Sequence, residues 1–520
     1  MPDRSLPARP NLDHLKNEAK ALHKAFRQRD ADALRRIRDT LGDEETLKLS
    51  DAQRAIAREY GFPTWARLRA HVQATAGDDD AIAAFLAAAQ EQDRERAIRV
   101  LADHPAIAEE SLHVASVLGL AAEARKLIAR DPSQIRARVG HPAADPLLYL
   151  GYSPFHGESP ERDTGLLETA RVLLGAGANP NTRDERYGVP VLHAVTGQRS
   201  VLPIARLLID AGANPTDGES VFHAAEHFHE DALELLLEAG AQLNYVGEWG
   251  NTAPYFLLRW WDVERLPTVR QGLAWLLEHG ADPNIPSGRE RETCLHVAAR
   301  RGQDVAIVQM LLDHGASLDV RRGDGCTAWL LARRGGFDAI ARLLEDAGAT
   351  TQALSAVDEL MAACGRGDVE AARRLARPTT VNALSPDDLA NLPEAASGAR
   401  WSTVAACVAA GFPVNTTDHA GATALHYAAI EGQVEAVRLL LAARADLNIV
   451  DNEHSSTPLG WAVWGSDFFR KNTGDYAGTI RALLDAGADR DPNGYLPENP
   501  AARAALEERS ETVAPQRKNR

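Results

Sequence analysis

Histidine is the residue type in this chain best suited to chemistry, since it can act as a general base, a metal ligand or a buried hydrogen-bonding group. The segment GATALHYAAIEGQVEAVRLLL places His426 six residues before Gly432, and the same spacing separates His296 from Gly302. Four histidines occupy matching positions in short apolar segments: His193, His223, His296 and His426. A catalytic histidine is not expected to recur in this way, so the repetition favours a structural role.

Other candidate chemistry is incomplete. HFHE at 227–230 offers two histidines suited to zinc, but nothing nearby completes a tetrahedral set. DRDPNG at 489–494 matches the first half of a calcium loop, yet position 12 of that loop is Pro500 instead of glutamate. The glycines of GAGANP at 175–180 follow a predicted helix, which argues against a dinucleotide-binding turn. No phosphate-binding loop, nucleophile elbow or zinc-protease motif occurs, so we expect no enzyme activity, cofactor or metal.

Composition indicates a folded, acidic protein. The 520 residues are 45% hydrophobic and 25% charged, with a net charge of −16. Such a chain lacks the basic stripe that general nucleic-acid binding needs. Residues 1–76 differ, with 15 Lys and Arg against 11 Asp and Glu, which marks them as a separate unit. The cysteines form no CxxC pair and are interpreted as buried small hydrophobes: Cys294, Cys326, Cys364 and Cys407.

No segment resembles an apolar targeting signal or approaches the roughly 18 uninterrupted apolar residues of a membrane helix. We therefore expect a cytoplasmic protein with no membrane contact. We also expect a monomer that has no small-molecule substrate.

A fixed period runs through the chain. Endings such as LLEHGADPN, LLDHGASLD and LLDAGADRD recur, and the turn glycines Gly280, Gly315 and Gly348 are 35 and 33 residues apart. Each copy pairs a short helix, such as TALHYAA, with an amphipathic second helix, such as VEAVRLLL, and a left-handed glycine or asparagine ends the second helix. One unit cannot bury its own apolar face, so neighbouring units must stack.

The segments ATALHYAA, RETCLHVAA, VPVLHAV and ESVFHAA resemble the T-P-L-H-x-A motif of the ankyrin repeat family, whose period is about 33 residues. The resemblance implies an all-α fold, an ankyrin-repeat solenoid of stacked helix-turn-helix units with projecting β-turns, preceded by a small helical module. It implies that each motif histidine bonds near its helix start and to the adjoining turn. The Thr423 hydroxyl is expected to cap the first N–H groups of its helix. In other copies Tyr255, Leu330 and Gly460 replace the histidine.

The predicted organisation has six parts. Residues 1–76 form the helical module, and their second half resembles a leader that often precedes bacterial ankyrin arrays. Its first helix carries an apolar stripe of Leu12, Leu15, Ala19, Leu22 and Phe26, and a second helix starts at 50–53 and stops at Gly61. The other parts are degenerate ankyrin-like repeats at 77–160, ankyrin repeats at 161–350, irregular helical repeats at 351–400, ankyrin repeats at 401–491 and a disordered tail at 492–520.

The resemblance also implies where a partner would bind, because ankyrin arrays present turn tips and first helices as a concave surface. Positions beside the turn glycine, and four or five residues after the motif histidine, generally face that side. They hold Arg186, Tyr187, His227, Phe228, Trp249, Arg259, Trp260, Arg300, Arg301, Arg334, His419 and Trp464. Aromatic residues and arginines often carry binding energy at interfaces. We therefore expect a non-enzymatic scaffold for a protein partner, and the arginines favour an acidic segment of that partner. Filling gaps between irregular repeats is the alternative for Trp260 and Trp464.

Two other functions stay open. In one, residues 1–76 carry an activity, as in an enzyme or toxin regulator, and the repeats choose the target. Those residues contain His14, His23 and His71 but no cysteine. In the other, this slightly basic segment binds RNA.

Overall fold

The structure is a computed structural model that describes residues 12–42, 47–62, 64–197, 199–259, 266–469, 474–489 and 497–507. Over these ranges the chain is mostly helical, with isolated β-bridges at turns and no longer strand, which confirms the predicted all-α class. The chain divides into two compact units, Met1–Gln242 and Leu243–Arg520. Among the helices of the described ranges, none has the length and apolar character needed to span a membrane.

Unit 1 (Met1–Gln242) opens with four helices. They are α1 (Leu12–Arg27), α2 (Ala31–Leu41), α3 (Leu49–Glu59) and α4 (Trp65–Gln90). The predicted stripe of α1 is buried at Leu15, Ala19, Leu22 and Phe26, whereas the Leu12 side chain lies outside the described residues. A carboxylate oxygen of Asp51 accepts from the N–H of Lys48 at 3.0 Å, so the N-cap of α3 is Lys48, two residues before the predicted Ser50. Gly61, with a φ of 83°, follows its end as expected.

After α4, α5 (Arg94–Asp103) packs on α4, and the short α6 (Ile107–Glu110) packs on the next two helices. Helix pairs form the rest of unit 1. They are α7 (Leu112–Val117) with α8 (Ala121–Arg130), α9 (Pro146–Gly151) with α10 (Pro160–Gly175), α11 (Val191–Thr196) with α12 (Leu202–Asp210), and α13 (Ser220–Glu226) with α14 (Glu230–Glu238). A 3-10 turn, Pro132–Arg136, follows α8. The short first helices contact one another in series, α7 with α9, α9 with α11 and α11 with α13. Each first helix therefore buries its apolar residues between neighbours, as stacking requires.

Helix α4 runs without a break through the predicted boundary after residue 76. The sequence ATAGDDDAIAAFLAAAQ around that point is mostly alanine and other residues that a helix tolerates, and a lone glycine costs a helix only about 1 kcal/mol. The helix packs on α1 and α3 and also on α5 and α7. The predicted module and the first helix pairs therefore share one continuous helix.

Unit 2 (Leu243–Arg520) continues the pattern. It contains α15 (Ala253–Leu258), α16 (Leu266–Glu278), α17 (Cys294–Arg301), α18 (Val305–Asp313), α19 (Ala328–Arg334), α20 (Asp338–Asp346), α21 (Ala356–Gly365), α22 (Val369–Leu375), α23 (Pro378–Val381), α24 (Pro386–Ser397), α25 (Trp401–Ala409), α26 (Ala424–Ile430), α27 (Val434–Ala442), α28 (Pro458–Phe468), α29 (Tyr476–Asp485) and α30 (Pro500–Glu507). First helices again contact in series, as in α15, α17, α19 and α21. The region predicted to be irregular, 351–400, holds one additional short helix, α23, whereas α24 pairs with α25 and contacts the next first helix, α26.

The final helix lies inside the segment predicted to be a disordered tail. Ala502, Ala505 and Leu506 of α30 are buried, and the helix packs on α29. Apolar residues spaced three and four positions apart give it one apolar face, which covers the end of the last helix pair. The rest of the predicted tail, 508–520, lies outside the described residues, as does most of the rejected calcium-loop segment, 490–494.

Second helices end in the predicted left-handed turn. Its glycines have φ between 81° and 96° at Gly177, Gly212, Gly240, Gly280, Gly315, Gly348, Gly411 and Gly487. After α27 the same position is held by Arg444, with a φ of 68°. A residue with a Cβ is strained there, so the repeat around α27 has a locally unfavourable ending.

Candidate partner-binding surface

Two of the motif histidines tie the start of a first helix to the following turn. Nδ1 of His426 accepts hydrogen bonds from the Thr423 N–H at 3.1 Å and the Thr423 hydroxyl at 2.9 Å, and Nε2 donates to the Ser456 carbonyl at 3.3 Å. His296 makes the same bonds with Thr293 and Val320. Because Nδ1 only accepts, the proton of the neutral ring is on Nε2, and burial lowers the pKa of both histidines. The structural role predicted for these two is confirmed.

The threonine before the histidine takes a different role from the one predicted. The Thr423 hydroxyl donates to His426 instead of capping a backbone N–H. In two of the three copies that lack the histidine, the threonine caps its helix, whereas the Thr252 hydroxyl lies 3.4 Å from that of Ser287. Thr327 Oγ1 accepts from the Leu330 N–H at 3.3 Å, and Thr457 makes the equivalent bond. The threonine hydroxyl can thus stabilise the helix start in both kinds of repeat. It donates to the histidine ring where the histidine is present, and it can accept from a backbone N–H where the histidine is absent.

The other two motif histidines have different partners. Nδ1 of His193 lies 3.2 Å from the Tyr152 hydroxyl, and its ring packs edge-on against His223 with centroids 4.5 Å apart. His223 Nδ1 donates to Glu226 at 2.8 Å, and Nε2 lies 3.4 Å from Glu219. Burial, with the charge of His223, lowers the pKa of His193 to about 3. Burial disfavours the protonated form of His223. The hydrogen bonds and charges of Glu219 and Glu226 have the larger opposite effect, so the pKa of His223 is raised to about 9.

The residue three positions before each histidine explains this difference. Before His193 it is Pro190, which has neither an N–H nor a hydroxyl to donate. Before His223 it is Ser220, whose hydroxyl donates to Asp217 at 2.5 Å. Neither ring receives the pair of donors that threonine supplies, so the bond predicted at these helix starts is replaced by other contacts.

A turn precedes each first helix, and an aspartate holds several of these turns in place. We call such a turn a finger and name it by its residues. In the 184–190 finger, the Asp184 carboxylate accepts from the N–H groups of Arg186, Tyr187 and Val189 at 2.9, 2.7 and 2.7 Å. In the 451–456 finger, Asp451 does the same with residues 453, 454 and 456. An aspartate six residues before the proline or threonine that starts the helix is the sequence signal for this role, and it was not among the predicted features.

Neighbouring fingers of unit 2 are joined by backbone hydrogen bonds. These run from the N–H of Gly288 to the Gly250 carbonyl at 2.7 Å, from Gly323 to Glu290 at 2.8 Å and from Asn452 to Ala420 at 2.8 Å. Each bond fixes the spacing of two finger tips. A partner that contacts both tips would therefore lose little entropy in ordering them.

The predicted partner-binding residues at finger tips are exposed. Tyr187 and Trp249 are 62% and 72% exposed, and His419 is exposed as well. The Arg186 guanidinium lies over the Tyr187 ring, 5.0 Å from its centroid. Most of the surface of the Tyr187 and Trp249 side chains is therefore available to a partner.

The predicted residues on helices are less uniform. Arg259 is exposed, and Trp464 is 48% exposed with its ring 5.3 Å from that of Phe468. This exposure argues against a gap-filling role for Trp464. His227 and Phe228 are half-buried at the end of α13. Trp260 lies outside the described residues.

The histidines of the 227–230 segment and the four cysteines were considered from the sequence as possible metal ligands or buried residues. His227 Nδ1 donates to the His223 carbonyl at 3.0 Å, and its ring stacks on His229 at 5.8 Å. Among the described residues, no group of three or more His, Cys, Asp or Glu side chains is arranged for a metal ion. The four cysteines are buried and free.

Arg300 and Arg334 are paired inside unit 2, which the sequence did not predict. Arg300 donates to both Glu292 oxygens at 2.8 and 3.1 Å and to Glu394 at 2.9 Å. Arg334 donates to Asp358 at 2.6 Å and to Asp388 at 3.1 Å. Both arginines therefore already have carboxylate partners from their own chain.

Two further arginines complete this charged cluster. Arg322 donates to Glu292 at 2.7 Å. Burial, followed by the charge of Arg300, lowers the pKa of the half-buried Arg301 to about 10. Helix α24, from the irregular region, supplies Asp388 and Glu394 to the cluster. The irregular region thus provides acidic groups to the first helices α17 and α19.

A cleft of about 550 Å³ lies in unit 1. The end of α4, the 139–144 turn and the 184–190 finger surround it, and Tyr152, His193 and His223 are among the residues that line it. Gln90 and Gln92, at the end of α4, donate to the carbonyls of Pro142 and Tyr152, both at 2.7 Å. Among its lining residues, Arg186 and Tyr187 are partner-binding residues predicted from the sequence, whereas Tyr152 is not.

Comparisons with known proteins agree with this architecture. The family model for ankyrin repeats (3 copies) matches residues 269–355 and 360–493. Ankyrin repeat and KH domain-containing proteins of Caenorhabditis briggsae and Caenorhabditis elegans are 38% and 37% identical over 98 residues, which is 18% of this chain and 4% of each relative. Potassium channel AKT2/3 of Arabidopsis thaliana is 28% identical over 184 residues, 35% of this chain and 19% of the channel. The chain thus spans a small fraction of these relatives.

Among solved structures, the human ASB11 ankyrin repeat domain has a TM-score of 0.35 at 22% identity, covering 46% of this chain and 99% of that domain. The ankyrin repeat domain of Bcl-3 has a TM-score of 0.23 at 21% identity, covering 52% of this chain and 99% of that domain. The family match lies within unit 2, where the two motif histidines make the bonds implied by the resemblance. The chain therefore contains ankyrin repeats at residues 269–355 and 360–493, within unit 2.

Proposed function

We propose that the protein is a non-enzymatic scaffold that binds a protein partner through its finger tips and first helices. The observation that carries this proposal is Trp249, a largely exposed tryptophan on an ordered finger. The finger is closed by a hydrogen bond from Gly247 N–H to the Asn251 carbonyl and joined to the next finger through Gly250. A large apolar side chain held in water by a rigid turn is a typical interface anchor.

The energy available from this anchor is substantial. A tryptophan can bury roughly 150–250 Å² on binding, and at about 25 cal/mol per Å² its exposed part would contribute roughly 2–4 kcal/mol before ordering costs. Tyr187 would add a smaller amount on unit 1. Arg300 and Arg334 contribute less than the sequence predicts, because carboxylates of the same chain already occupy them. An acidic partner segment would have to rely on Arg186 and Arg259.

The proposal includes a monomeric protein in the cytoplasm. A reducing compartment suits its four free, buried thiols. No cofactor or small-molecule substrate is part of the proposal.

The experiment is partner isolation with the full chain, followed by titration of the purified partner against single variants. Trp249→Ala should weaken binding by about 5- to 100-fold, the usual effect of losing an aromatic anchor. Arg438→Ala, an exposed change on the second helix α27, is the matched control and should leave affinity unchanged. Unchanged affinity for both Trp249→Ala and Tyr187→Ala would place the interface elsewhere.

The alternative functions concern the N-terminal helices. One is an activity in that region, and the other is RNA binding, favoured by its positive balance of charge. Arg36 there is already paired with Glu59 at 2.8 Å, which reduces the charge available to phosphates. Because α4 crosses residue 76, the test uses the full chain. RNA binding that falls steeply between about 50 and 200 mM salt would favour this alternative.

A further inference from the structure

Four exposed arginines of unit 2 form no ion pair within the part of the chain that the structure describes. Three lie in two consecutive fingers, and the fourth directly follows α15. They are Arg289 and Arg291 in the 287–292 finger, Arg321 in the 321–326 finger, and Arg259. One N–H of Arg321 donates to the Gly325 carbonyl of its own finger at 2.8 Å, and the guanidinium has further N–H groups. Only Arg259 is among the binding residues predicted from the sequence, so the other three add to the arginines available to an acidic segment.

Carboxylates in the same region are fewer than the arginines. Glu248 and Glu290 also lie in fingers and form no ion pair with a described residue, and the half-buried Glu290 lies against Gly323. The other carboxylates are bonded to arginines of the chain, in the pairs Arg300–Glu292, Arg300–Glu394, Arg322–Glu292 and Arg322–Asp324. With these pairs and Arg301 included, the region holds seven arginines and five carboxylates. The surface is thus locally cationic, although the whole chain has a net charge of −16.

The hydrogen bonds between neighbouring fingers hold the arginine-bearing tips in place. Arg289 lies between the two residues of its finger that make those bonds, Gly288 and Glu290. The Gly288 bond joins this finger to the finger of Trp249, and the Glu290 bond joins it to the finger of Arg321. An apolar anchor and the finger arginines therefore lie on backbone segments whose spacing is set before a partner arrives. A partner segment that contacts them loses little entropy in ordering this surface.

We propose that the 247–251, 287–292 and 321–326 fingers bind an acidic segment of the protein partner, with an apolar residue of that segment on Trp249 and its carboxylates on the finger arginines. The inference rests on the proposed function, since it gives the chemistry of the partner that these tips recognise. Carboxylates fit because a guanidinium can bind them through two parallel N–H···O bonds. A nucleic acid is a less suitable polyanion, because the overall charge of −16 repels a long phosphate chain, whereas a short acidic segment meets only the local cationic surface.

The test uses rhodamine-labelled peptides with one leucine and several glutamates, or one leucine and as many lysines, in the same Gly-Ser background. Their anisotropy is measured with the full-length protein at low and physiological salt. The glutamate peptide should bind, and more weakly as salt rises, whereas the lysine peptide should not bind, the reverse of what the net charge alone predicts. A glutamate peptide with serine in place of leucine should bind at least about fivefold more weakly, since it lacks the contact with Trp249. The double change Arg289→Gln, Arg291→Gln should weaken binding of the glutamate peptide about 3- to 10-fold, as for loss of two exposed charge pairs.

The control removes one arginine charge away from the fingers. Arg438→Gln changes an exposed position of α27 and should leave the affinity for the glutamate peptide unchanged. Equal binding by the wild type, the double variant and Arg438→Gln would overturn the inference. So would absence of binding, preference for the lysine peptide, or preference for a rhodamine-labelled uridine octanucleotide. A natural partner whose binding depends on Trp249 but not on Arg289 and Arg291 would leave the proposed function intact and remove this inference alone.

Discussion

Replacing His426 with alanine should destabilise the protein by about 3 kcal/mol. The histidine is fully buried and bonds to Thr423 at its own helix start and to Ser456 in the next finger. Its ring also packs edge-on against Trp461 with centroids 5.2 Å apart. The substitution therefore removes a joint between two consecutive repeats.

The magnitude follows from the groups left behind. The Thr423 N–H and the Ser456 carbonyl lose their partner, and each such loss costs about 1 kcal/mol or more. The Thr423 hydroxyl is less costly, since it can rotate to cap its helix as Thr327 does. Loss of ring packing and the cavity that remains add about 1 kcal/mol. The sum is close to 3 kcal/mol, well above the effect of an ordinary surface change.

Urea unfolding of the full-length protein, followed by circular dichroism, measures this effect, and hydrogen exchange at the Thr423 amide locates it. His419→Ala is the matched control, because that histidine is exposed in the preceding finger. Its effect should stay within about 0.5 kcal/mol. If His426→Ala were equally mild while partner binding was lost, the histidine would be a binding residue and the structural interpretation would be refuted.

Three further changes test other parts of the structure. Arg444→Gly should stabilise the protein by about 0.5–1 kcal/mol, because glycine tolerates the left-handed turn, and a lower urea midpoint would contradict this. Gly302→Ala should cost more than about 2 kcal/mol, since its Cβ would meet the Phe337 ring at 2.2 Å, whereas Gly315→Ala, with open space around it, should cost only about 1 kcal/mol. Equal costs would show that the ring yields. Burial alone would raise the pKa of Glu292, but two arginines lower it to about 2, so roughly 3 kcal/mol of stability should be present above about pH 4.5 and lost towards pH 2. Glu292→Gln should flatten this acid dependence, and an unchanged slope between pH 7 and pH 3 would contradict it.

The repeat architecture could be predicted because its causes are local. The spacing of turn glycines, the apolar face of each helix and the threonine–histidine pair at 423 and 426 all lie within one period of the chain. The bond predicted at the helix start was wrong for His193. Pro190, three residues earlier, has no N–H to donate to the histidine ring, and the sequence already contains this information. The prediction of a disordered tail was also wrong at α30. It was based on composition, whereas the spacing of Ala502, Ala505 and Leu506 indicates a helix with one apolar face.

The candidate surface was predictable only at the finger tips. Exposure of Trp249 and Tyr187 follows from their place in turns, which project away from the helices. The pairing of Arg300 with Glu394 could not be predicted in this way, because Glu394 lies 94 residues away in a segment that has no motif histidine. Whether an arginine is buried, and which distant carboxylate it contacts, depends on how the helices stack. The spacing of the repeats along the sequence does not specify this.

The bond from Arg300 to Glu394 constrains how this protein could have grown or could be shortened. In an array held only by adjacent units, whole repeats can be duplicated or deleted with little effect beyond the junction. Here α17 and α24 are connected over the intervening helices, so insertion or deletion of a whole repeat between residues 301 and 393 would move one end of the bond out of reach. Unit 2 therefore has a set length in this region, and recombination that changes its number of repeats would be tolerated only outside it.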